Sequence, residues 1–91
     1  MKNMIREHMI FTGRVQGVGF RYKVCYIARH HGMTGFARNE YDGSVTVEVQ
    51  GTKEQIDELI EILQHDSYIR IEQILREEIE LQEENGFQIQ G

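Results

Sequence analysis

The 91-residue chain has no proline, a single cysteine and no apolar run long enough to span a bilayer. Each shortage removes a class of protein. Cys25 has no partner, which excludes an internal disulfide framework and a zinc module built on paired thiolates. A spanning helix needs about 20 consecutive apolar residues and a secretory leader a shorter apolar block near its start, and the sequence shows neither. Cations are also scarce: 10 basic against 15 acidic residues leave a net charge of −5. That balance argues against nucleic acid or membrane as a partner, since both are bound through clustered lysine and arginine. Hydrophobic residues still make up 40% of the chain, too many for a disordered tail. The expectation is one domain spanning 1–91, a cytoplasmic monomer with room for a single core.

Met9 and Phe11 fall on one side of an extended stretch from Glu7 to Thr12, a strand ended by Gly13. Gly13-Arg14-Val15-Gln16-Gly17-Val18-Gly19 follows, and its three glycines leave backbone amides uncovered. The period then changes. Phe20, Val24, Ile27 and Ala28 recur at helical spacing, and Gly32 suits the stop of that helix. Cys25 lies at the flank of this stripe as structural filler, and His31 falls on it as a core-edge histidine. Thr34 to Glu40 and Ser44 to Gln50 bracket the turn Tyr41-Asp42-Gly43 as a hairpin. Thr52-Lys53-Glu54-Gln55 is a capping box opening a second helix on Ile56, Leu59, Ile60 and Leu63.

The stretch from Ile69 to Ile79 fits two patterns. Ile69 and Ile71 alternate as in a strand, whereas Ile71, Ile74, Leu75 and Ile79 recur at helical intervals, and periodicity leaves the choice open. Phe87 and Ile89 alternate again after the Asn85-Gly86 turn. An extended reading gives the order βαββαβ with a short extra strand. That order is the ferredoxin-like α+β sandwich, an antiparallel sheet with two helices on one face.

A strand, a glycine-rich turn and a helix start together favour an anion, because free amides and the helix dipole point at it. Arg21 sits in the first helical turn, where the dipole disfavours a cation unless an anion shares the site. A tight surface turn with a solvated arginine satisfies the glycine count equally well. The loop has neither the Lys-Ser/Thr pair of a nucleotide phosphate loop nor the dinucleotide spacing. Glu77, Glu78, Glu80, Glu83 and Glu84 read as a solvated face, the four tyrosines as no stacking platform, and the histidines as no metal chelate.

Gly13 to Arg21 resembles the N-terminal signature of the acylphosphatases. Gly32-Met33-Thr34-Gly35-Phe36-Ala37-Arg38-Asn39, followed by Asp42-Gly43-Ser44-Val45, resembles the family's second block at the family's separation. The resemblance implies a ferredoxin-like fold and favours the strand for Ile69 to Ile79. It implies hydrolysis of an acyl phosphate to carboxylate and inorganic phosphate, with no metal, cofactor or covalent intermediate. Arg21 and Asn39 take the catalytic positions, and the amides of Val15, Gln16, Gly17, Val18, Gly19 and Phe20 cradle the phosphoryl oxygens. Two departures stand out: Phe36 replaces the family's usual Trp, and His65-Asp66-Ser67-Tyr68 occupies the place of a Gly-Pro pair. The competing reading is a regulatory module that binds phosphate or acyl phosphate without turning it over.

Overall fold

The computed structural model describes residues 3–91. In chain order they form β1 (Met4–Arg14), α1 (Phe20–His30), β2 (Thr34–Asn39), β3 (Val45–Thr52), α2 (Lys53–Gln64), β4 (Arg70–Ile79) and β5 (Phe87–Gln90). The sheet order is β4-β1-β3-β2-β5. β3 pairs antiparallel with β1 and β2, and β4 antiparallel with β1. β1 and β2 therefore run parallel with β3 between them, the split βαβ arrangement expected of a ferredoxin-like fold.

The sheet is mixed rather than wholly antiparallel, because β5 lies parallel to β2. The register supplies the reason. Ile79 lies opposite Arg6, Arg6 opposite Gln50, and Gln50 opposite Thr34. β4 thus ends level with the start of β2. Residues 80–86 cross that end of the sheet, and the chain can then only run up alongside β2.

Both helices cover one face. Phe20, Val24 and Ala28 of α1 and Ile56, Leu59 and Leu63 of α2 are buried against Met9, Phe11, Val45, Val47 and Val49 of the sheet. Phe11 and Phe20 meet with ring centroids 5.0 Å apart. The α2 capping box is complete: Gln55 N donates to Thr52 Oγ1, and Thr52 N donates to Gln55 Oε1. Gln55 Nε2 also donates to the His31 carbonyl and ties the two helices together. α1 ends at His30, so His31 leaves the helical stripe and is exposed, contrary to its expected place at the core edge. Cys25 is buried, with Sγ 3.7 Å from the Phe87 carbonyl oxygen.

The ambiguity over Ile69 to Ile79 has a local cause. The register between β1 and β4 shifts, so that Thr12 faces Gln73 but Gly13 faces Ile71, leaving Glu72 as an extra residue. A bulge of this kind lets Ile71 and Ile74 both face the core although three positions apart. That spacing imitates a helix.

The crossing segment is fastened by polar contacts. Arg6, only 1% exposed, pairs with Glu48 and with Glu84 of the segment. Gln50 Nε2 donates to the Gln82 carbonyl, Gln82 N donates to Gln50 Oε1, and Gly35 N donates to the Gly86 carbonyl. Glu84 is therefore a structural partner and not part of a freely solvated acidic face.

Candidate active site

The site lies at the opposite end of the sheet from the crossing segment. Residues 15–19 link β1 to α1, and the link is held from both sides by burial of Val15 and Phe20. Gly17 and Gly19 have φ of 75° and 79°, the left-handed region that residues with a Cβ avoid. Gly19 is the N-cap of α1 and offers no side chain to the first-turn amides, and no acidic residue stands in that turn. Among the described residues, Gln16 to Gly19 donate no backbone hydrogen bond to another backbone group. Helix geometry leaves the first-turn amides of Phe20, Arg21 and Tyr22 without helical partners as well. The loop thus presents a run of unpaired N–H groups at the positive end of a helix dipole.

Asn39 closes β2 beside this loop. Its Oδ1 is buried and has no hydrogen-bond partner among the described residues. Buried polar atoms in folded proteins are almost always paired, so an orphan of this kind marks a place for water or ligand. Val15, Gly17, Gly19, Phe20, Arg21, Tyr22 and Asn39 together line a pocket of about 130 Å³. Pockets for drug-sized ligands run to roughly 300–1,000 Å³, so this one is of a size for a small anionic group.

Arg21 is positioned by the far end of the chain. Its Nη1 donates to the carbonyls of Gln90 (2.8 Å) and Gly91 (3.2 Å). This fixes one edge of the guanidinium while the residue lines the pocket. The structure therefore brings Arg21, Asn39 and the loop residues Val15, Gly17, Gly19 and Phe20 around one cavity. Gln16 and Val18 belong to the same loop but do not line it.

Three contributions escape a reading of the sequence. The Gln16 side chain is a brace: Nε2 donates to the carbonyls of Glu40 (2.8 Å) and Ser44 (2.9 Å), binding the loop to the hairpin that carries Asn39. Asp42 Oδ1 in turn accepts from the backbone N–H and the hydroxyl of Ser44. The Ser44 hydroxyl leads the contacts that hold the Asp42 carboxyl below its usual range, and Thr46 leads those that lower Glu40, with Arg38 second. Tyr22 lines the same pocket as Asn39 and, with Tyr26, a second groove along α1, where Tyr26 stacks on His30 at 6.0 Å. The hold on Arg21 comes from residues about 70 positions away in the chain. Only tertiary structure could reveal the first and third. The i, i+4 spacing of Tyr22 and Tyr26 was a visible signal for the second.

Among the described residues no helix is long and apolar enough to cross a membrane. The Acylphosphatase family model matches residues 7–89. The chain is 48% identical over 61 residues to an acylphosphatase of Bifidobacterium longum, a match covering 67% of this chain and 63% of that one. It is 39% identical over 88 residues to an acylphosphatase of Vibrio parahaemolyticus, covering 96% of this chain and 98% of the relative. Its structure superimposes on the crystal structure of an acylphosphatase from Bacillus subtilis with a TM-score of 0.86 at 29% identity, covering 93% and 97% of the two chains. With a matching family model, a near full-length relative and a shared fold, the chain belongs to the acylphosphatase family.

Proposed function

We propose that the chain, acting as one domain, hydrolyses acyl phosphates to a carboxylate and inorganic phosphate, with Arg21 and Asn39 as its catalytic residues. The observation that carries the reading is the orphaned Asn39 Oδ1, buried at the same 130 Å³ pocket as Arg21 and the loop glycines. The amides of Val15 to Phe20 and the Arg21 guanidinium hold the equatorial oxygens of the phosphoryl group. Phosphoryl transfer asks mainly for positioning and for charge on those oxygens, and preorganised donors supply both.

Asn39 Oδ1 accepts a hydrogen bond from the attacking water and aims its lone pair at phosphorus. A new P–O bond forms from the water, and the bond from phosphorus to the acyl oxygen breaks. The carboxylate leaves with the electron pair. Its conjugate acid has a pKa of about 4, so it departs without a general acid. An amide cannot take the water's proton, and a non-bridging phosphoryl oxygen receives it. We place this activity in a cytoplasmic monomer, in keeping with the single buried Cys25.

Benzoyl phosphate hydrolysis in isotopically labelled water, with EDTA present, tests the reading. The label should appear in phosphate and not in benzoate, and Arg21→Ala should lower kcat by roughly 10²–10³. Label in benzoate would place the attack at carbon and overturn the mechanism. A folded wild-type chain that binds phosphate and does not turn over would identify a binding module.

A further inference from the structure

Arg14 and Arg70 stand directly opposite each other where β1 and β4 pair. Like charges facing across a strand pair repel. The rest of the molecule does not leave its cations in this position. Among the described residues, Arg6, Lys23, Arg38, Lys53 and Arg76 each pair with a carboxylate. Arg21 and Arg29 donate to backbone carbonyls. Among the described lysines and arginines, Arg14 and Arg70 alone have no such partner, in a chain with 15 acidic residues against 10 basic ones.

The backbone fixes the pair. The bulge at Glu72 lies next to it. Gly13, with φ of 123°, runs so close to β4 that a Cβ there would sit 2.2 Å from the Arg70 carbonyl oxygen. Both arginines line one pocket of about 300 Å³, together with Gln64, Ser67 and Tyr68. Arg14 of this pocket and Val15 of the proposed phosphate site are neighbours in the chain.

Reaction geometry points the same way. In an in-line displacement the leaving oxygen departs opposite the attacking water. Asn39 holds that water at the end of β2, and β3 lies between β2 and β1. An acyl group departing away from β2 along the sheet heads toward β1 and β4, the side on which Arg14 and Arg70 stand. We infer that these two arginines form an acyl-side anion clamp, and that the preferred substrates are acyl phosphates carrying a second, carboxylate-sized anionic group on the acyl arm. The inference rests on the proposed roles of Asn39 and the loop. Two guanidinium groups give such an anion parallel, charge-assisted donors, and its charge relieves their repulsion.

Adipoyl monophosphate and hexanoyl phosphate differ only in a terminal carboxylate far from the reacting anhydride, so their intrinsic reactivities match. The wild-type ratio of kcat/KM, adipoyl over hexanoyl, should be roughly tenfold or more, the worth of one charge-assisted hydrogen bond. It should fall toward one in Arg70→Gln and in Arg14→Gln, and should shrink as salt is added. Each variant should melt at or above the wild-type temperature, because the substitution removes a like-charge contact. A wild-type ratio near one, or a ratio that survives both substitutions, overturns the clamp while leaving the hydrolase intact. Failure of the wild type to hydrolyse hexanoyl and benzoyl phosphate overturns the proposed function, and the clamp with it.

Discussion

The two ends of this sheet treat their polar groups in opposite ways. At the end crossed by residues 80–86, Arg6 is buried and yet paired with two carboxylates, and Gln50 of β3 exchanges two hydrogen bonds with the backbone of Gln82 on the crossing. At the other end, loop amides and Asn39 Oδ1 are left without partners. Unsatisfied polar groups cost stability, and a fold able to pair them at one end leaves them open at the other only where a ligand completes them. The first end holds the chain together, and the second is the one we propose for the phosphoryl group. Substitutions at the first should therefore cost stability, and those at the second should cost activity.

The largest expected stability effect is at Arg6. Arg6→Ala removes the cation between Glu48 and Glu84 and should destabilise by about 3 kcal/mol, read from urea unfolding. Arg6→Met, which refills the volume with apolar atoms, should cost clearly less than Arg6→Ala. Equal losses would show that packing and not charge fastens the crossing.

Gln16 stands between the two behaviours, because it is a satisfied group inside the functional end. Gln16→Ala removes one of the two hydrogen bonds that the Glu40 and Ser44 carbonyls each accept, leaving those from Gly43 N and Glu40 N, and should cost about 1 kcal/mol of stability. It should also lower kcat/KM about tenfold by loosening the loop against the Asn39 hairpin. A loss of stability with unchanged kinetics would separate the brace from the chemistry.

The smallest expected effect is on pH. Burial raises the Glu48 carboxyl, but the hydrogen bonds from His8 and Arg6 outweigh it and leave its pKa below 4.5. Asp57, held chiefly by Arg76, and Asp66, held chiefly by Lys23, are lowered from 3.8. A carboxyl lowered on folding adds stability above its unfolded pKa and loses it as pH falls through the folded value. These contributions should be flat from neutral pH down to about 5 and should decline below about 4.5. In Glu48→Gln that decline should be shallower. An unchanged slope would assign acid unfolding to other groups.

How legible each end was in the sequence follows from how local its signals are. The end with the glycine loop is written in contiguous residues: Gly13 to Arg21 carry the loop and helix start, and Thr34 to Val45 carry the hairpin bearing Asn39. The strand alternation of Val45, Val47 and Val49 and the capping box of Thr52 and Gln55 were local in the same way. The crossing end depends on pairs far apart in the chain, such as Arg6 with Glu84, which no local pattern announces. Ile71 and Ile74 misled for a third reason, because a bulge moved two core residues to a helix-like spacing. His31 misled because a stripe extrapolated one residue past the real end of its helix.

Asn39→Ala sets the contrast between the two ends in a single variant, measured for both kcat on benzoyl phosphate and urea-unfolding stability. Oδ1 has no partner to lose, so stability should hold or rise slightly. Turnover should fall by roughly 10²–10³ with the loss of the water-orienting group. A variant that loses stability and keeps its turnover would contradict the account, because Asn39 would then be holding the fold and not the reaction.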